Sequence, residues 1–113
     1  MSSWLWSFKS VSLSYLVIWR MIKMMLNVYS IRDVRSGFLT PTVDQNDYIA
    51  ARNFANAIME SHGVLFTHAS DFQLFRIGEF DADKGVLVPA PVHELVSDGA
   101  EVLRAMKKEE ANV

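Results

Sequence analysis

The stretch EFDADKGVLVP, Glu79 to Pro89, sets carboxylates at 79, 81 and 83 ahead of Gly85. Alternating oxygen donors followed by a glycine suggest a calcium loop, which needs ligands at loop positions 1, 3 and 5, glycine at 6 and a bidentate glutamate at 12. Counting from Asp81 places Asp83 at 3, Gly85 at 5, Val86 at 6 and Val92 at 12, so the glycine is out of place and the closing glutamate is absent. The segment reads instead as a hairpin. The run FQLFRIGEF before it is aromatic and β-branched, VLV after it is short and apolar, and Gly85 supplies the positive φ of a tight connection. The acidic residues are then turn chemistry, and no metal site is expected.

The histidines, His62, His68 and His93, include no pair at helical ligand spacing, and His62 falls at a helix end where a cation complements the dipole. With no cysteine there is no thiolate nucleophile, no disulfide framework and no cysteine-rich zinc site. No G-x-S-x-G elbow occurs. The glycines at 37, 63, 78, 85 and 99 are too scattered for a phosphate loop. The sequence therefore supports neither catalytic residues nor a cofactor, and a non-enzymatic protein is expected.

What remains is a set of aromatic residues and arginines on neighbouring segments: Tyr29, Arg32 and Arg35 near a first hairpin, then Phe72, Phe75, Arg76 and Phe80 on a longer strand. Aromatic faces beside a few cations can hold single-stranded nucleic acid, each stacked base contributing ~1–3 kcal/mol. Successive strand residues face opposite ways, so at least half of these rings must belong to the core.

The elements that would position these groups follow from pattern. MLNVYSIRD, residues 25–33, alternates and is β-rich; Ser36 and Gly37 turn the chain into a short strand at 38–40, which Pro41 ends for want of an N–H. Asp44, with an acid three positions on, suggests an N-cap for a helix over about 45–60. On a helical wheel Ala50, Ala51, Phe54, Ala55, Ala57, Ile58 and Met59 share one side, opposite Arg52, Asn53, Asn56 and Glu60. Ser61, His62 and Gly63 end it. A strand over 72–80, the turn 81–85, a short strand over 86–88 and a capped helix over about 98–109 complete the order β-β-α-β-β-α. The expected class is α+β: a small antiparallel sheet of about four strands in two hairpins, covered by one main helix, with a second helix at the C-terminus.

A chain of 113 residues is one domain's worth, and half of it is hydrophobic. The net charge of −2 disfavours polyanion binding by charge alone. That charge is uneven: residues 1–24 carry Lys9, Arg20 and Lys23 with no acid, which leaves residues 25–113 at −5. The first segment, holding all three tryptophans, has only ten residues between Lys9 and Arg20, short of the ~20 apolar residues of a membrane span. It also lacks the layout of a signal peptide. Three readings stand for it: an interfacial amphipathic piece, a poorly ordered extension, or an upstream start with Met21, Met24 or Met25 as the true one. Residues 25–113 are expected to form the single α+β domain.

The pieces LNVYSIRD, DFQLFRIGEFDADKGVL and PVHELV, over roughly residues 22–103, resemble the small nonstructural early protein of gokushoviruses, the tailless single-stranded-DNA phages of the Microviridae. The resemblance implies a counterpart of the phage protein that shifts replication from duplex copying to single-stranded genome synthesis and packaging, often labelled DNA-binding, working in the host bacterial cytoplasm. It brings no catalytic motif. Under that reading Arg32, Arg35, Arg52 and Arg76 are the candidates for phosphates, with Tyr29 and Phe75 as stacking groups, and single-stranded viral DNA is the expected partner. The rival reading is a protein-interaction module, a homodimer or an adaptor for the viral replication initiator or the procapsid, with no direct DNA contact; the −5 balance favours it. Convergence or scatter of the four arginines separates the two.

Overall fold

The computed structural model describes residues 25–111, so the tryptophan-rich segment and every reading placed on it lie outside the described residues. Within them the fold is α+β. Strands β1 (Met25–Asp33), β2 (Gly37–Phe38) and β3 (Thr42–Asp44) are followed by helix α1 (Asp47–Glu60) and a single helical turn α2 (Val64–Thr67). A 3₁₀ turn (Ala69–Asp71), β4 (Phe72–Asp81), β5 (Val86–Asp98) and helix α3 (Gly99–Ala111) complete the chain.

All the strands join one antiparallel sheet. β1 and β4 are central and β5 lies outside β4, while β2 and β3 pair with successive parts of β1 on its other side. The return strand expected at 38–40 is thus split around Leu39–Pro41, and the sheet gains a fifth, short member. Ser30 holds the break in place by donating its hydroxyl to the Leu39 carbonyl at 2.6 Å.

The expected 81–85 turn is present. The Asp81 Oδ1 accepts the backbone N–H groups of Asp83 and Lys84 at 3.0 and 3.1 Å, and Gly85 adopts φ 68°, where a side chain would be strained. The strand after it runs to Asp98 rather than stopping at 88. Pro89 and Pro91 are tolerated because β5 pairs on one side alone among the described residues; a proline on such an edge forgoes no inner ladder bond and blunts further strand addition.

Helix α1 starts later than Asp44 suggested. Asn46 is the N-cap, its side chain accepting the Ile49 N–H at 2.9 Å, while Asp44 belongs to β3 and pairs with Asn27. Ala50, Phe54 and Ile58, spaced by four, are the buried stripe, and Met59 is exposed despite its place on the expected side. They pack on Tyr29, Leu74, Phe72 and Ala69, with Val96, Val102 and Leu103 at the border. Asp98 accepts the Ala100 N–H at 3.0 Å and so caps α3, whose first turns close the core over the 3₁₀ turn. Both long helices therefore cover one face of the sheet.

Candidate functional site

The bulges that interrupt β4 and β5 decide which side chains share a face. On the covered face lie Asn27, Tyr29, Ile31, Leu74, Arg76 and Glu94, an assignment fixed by the contacts between them. Tyr29 is 0% exposed; its hydroxyl donates to Asp47 Oδ1 at 2.6 Å and accepts from Asn27 at 3.1 Å. Arg76 Nη1 reaches both oxygens of Asp47 at 2.9 and 3.0 Å, and its Nη2 pairs with Glu94. Arg76 is thus a bracket between the start of α1 and β5. Desolvation opposes its charge, but the Asp47 and Glu94 carboxylates outweigh that and raise its pKa.

Burial, reinforced by the hydrogen bond to Asp47, pushes the Tyr29 phenol up to about 12. A phenol whose folded pKa lies above its unfolded value of 10.0 contributes stability that is complete below pH 10 and disappears as pH climbs toward 12. The urea midpoint should therefore fall more steeply above pH 10 in the native protein than in Tyr29→Phe, which has no proton to lose there. Parallel alkaline profiles for the two proteins would contradict this.

Among the described residues the opposite face carries no helix. Alternation from Ser30 and the register place Leu26, Val28 and Arg32 of β1, Phe38 of β2, Phe75 of β4, and His93 and Leu95 of β5 on it. Phe38 is the hub of a ring cluster. Its centroid lies 5.9 Å from that of Phe75 and 5.4 Å from that of His93, both edge-to-face. Phe38 is 47% exposed, and Arg32, its partner in register, is exposed beside it. Along the paired strands the ionisable groups of this face near the rings are Arg32, His93 and Asp98, the last turned to cap α3.

The four arginines do not converge. Arg32 alone reaches the open face. Arg35 sits in the β1–β2 turn, 3.6 Å from Asp71. Arg52 is on the exposed side of α1, and Arg76 is engaged on the covered face. Of the two aromatic candidates Phe75 belongs to the open face, whereas Tyr29 is a core residue whose ring is closed off by α1. Phe38 and His93 were missed, because only the split of β2 from β3 and the bulges of β5 bring them beside Phe75. The pairing of a lone aromatic with the SG turn was the available signal for Phe38.

This sheet, with its cover and open face, spans a stretch that matches a known protein family: the phage ORF5 protein family, over residues 26–102. The chain belongs to that family. The match runs from β1 into the first turn of α3 and so takes in both faces and the whole ring cluster. Searches of the curated proteins and of the solved structures gave no match.

Proposed function

We propose that this phage ORF5 family protein is a nonstructural, non-enzymatic accessory protein of a gokushovirus-like phage, acting in the bacterial cytoplasm during single-stranded genome synthesis or packaging. It does so by holding single-stranded DNA on the open face of its sheet. The observation that supports this reading is the Phe38–Phe75–His93 cluster, with Phe38 and His93 exposed and Arg32 in register with Phe38, on a face whose nearby carboxylate is spent on a cap. Ring faces accept any base, and one adjacent guanidinium can take a phosphate.

With one exposed arginine on the face among the described residues, stacking rather than charge must supply most of the affinity. The salt dependence is correspondingly shallow: for single strands log K falls by ~0.7 per phosphate neutralised, so with one arginine a slope of about −0.7 is expected. Fluorescence anisotropy of the full chain with a labelled single strand across a salt series, with a duplex control, measures it. Preference for the single strand with that slope, flattened in Arg32→Gln, is the expected result. No binding at tens of micromolar protein in low salt would remove the reading.

A second reading, an adaptor for another viral protein such as the replication initiator or the procapsid, is favoured by one observation. Arg76 is committed to Asp47 and Glu94, and acids outnumber bases by five over residues 25–113, so the domain offers a polyanion no net cationic charge.

A further inference from the structure

The ring cluster has one member that can carry charge, His93 of β5. It is exposed, it stands edge-to-face with Phe38 at 5.4 Å between centroids, and among the described residues its ring nitrogens have no hydrogen-bond or ion-pair partner. His68, by contrast, shares a hydrogen bond with Thr67 at 2.9 Å. Phe38 is thus bordered by two basic side chains, Arg32 in register on β1 and His93 reaching it from β5. On this face β1 brings Arg32, β2 brings Phe38 and no charge, and β4 brings Phe75, with Glu79 farther along in register with Val88. β5 itself adds Asp98, which caps α3, while Glu94 and Arg76 hold each other on the covered face. Nothing on the described strands around it competes for the His93 nitrogens.

A neutral imidazole has one N–H to donate and a lone pair on its other nitrogen; the imidazolium donates from both and adds a charge. Histidine makes that change between about pH 8 and pH 5. A nucleotide inside a strand carries a phosphate on each side of its base, so a base stacked on Phe38 brings two phosphates to a ring bordered by two basic groups. Arg32 is charged throughout this range and takes one. We propose, resting on the single-strand binding inferred above for this face, that the imidazolium of His93 takes the other, so that the site gains a second phosphate contact as pH falls. Proton and phosphate then reinforce each other at His93 by linkage.

Anisotropy titrations of the full chain with a labelled single strand, run as salt series at about pH 8 and about pH 6, test it. Neither the bases nor the phosphodiesters of the strand change charge between these values. The slope of log K against log salt should deepen from about −0.7 to about −1.4, at ~0.7 for each phosphate neutralised, and binding at low salt should tighten. His93→Gln should show one slope, about −0.7, at both pH values, and His93→Lys, charged at both, should show the steep slope at both. His62→Gln and His68→Gln should keep the native difference, because those residues follow α1 and α2 rather than lying on the open face. Binding at both pH values with one shared slope overturns the proposal and leaves the stacking reading standing. A pH-dependent slope that survives His93→Gln overturns it equally. No binding at either pH removes the stacking reading and this contact together.

Discussion

Gly99→Ala should be the most destabilising single-methyl change in the described fold. A Cβ built at Gly99 would lie 1.9 Å from the carbonyl oxygen of Ala69, 2.8 Å from its carbon and 2.9 Å from the Phe72 carbonyl oxygen. All three are backbone atoms, and Ala69 is completely buried, so no flexible side chain can yield. Relief requires α3 to move off the 3₁₀ turn, which uncovers Val102 and Leu103 at the core border. Overpacking typically costs ~1–3 kcal/mol, and contacts this close to rigid backbone put Gly99→Ala at the top of that range. In a domain of this size that corresponds to a fall in melting temperature of roughly 10–20 °C. Thermal unfolding followed by circular dichroism measures it. A fall of only a few degrees would mean that α3 docks differently. Gly37→Ala, where a Cβ meets nothing within 4 Å, is the comparison that isolates crowding from backbone strain, since its φ is 100°.

The sequence made some of this architecture legible and concealed the rest for physical reasons. The α1 stripe of Ala50, Phe54 and Ile58 was readable because a helix repeats its face every three to four residues regardless of what it packs on. The 81–85 turn was readable because Asp81 and Gly85 act on their own local backbone. The length of β5 was not, since proline is an acceptable strand residue only at an edge, and edge position is a property of the assembled sheet. The candidate site divided along the same line. Arginine and aromatic residue types point to β1 and β4, but a bulge shifts the face of every residue after it, and bulges are not written in residue type. Hence Phe75 and Arg32 lie on the open face, while Tyr29 and Arg76 are parts of the covered face, tied together through Asp47. The N-cap carboxamide of Asn46 passed unnoticed beside the more conspicuous Asp44 for a similar reason: which of two capping side chains is used depends on where β3 stops.

The decisive functional experiment removes both central rings. If bases stack on the open face, Phe38→Ala combined with Phe75→Ala should weaken single-strand binding by about 30- to 1,000-fold, which is ~2–4 kcal/mol at 1–2 kcal/mol for each lost stack. The two rings meet edge to face, so the effects need not add, and the single variants fix the coupling. Phe38 is the cleaner probe, being about half exposed in a two-residue strand whose position is also held by Ser30. Phe75 lies between Ser30 and Leu95 in register and its loss also loosens the sheet, so unfolding curves must show the variants folded at the binding temperature. Charge offers the internal control. The ring variants should lose affinity with the salt slope unchanged, because they remove no phosphate contact, whereas Arg32→Gln should lose less affinity and flatten the slope. A folded double variant that binds as well as the native protein would take the open face out of DNA recognition. The ring cluster would then be apolar surface offered to a protein partner, which Arg32 and the −5 charge around it would orient rather than bind.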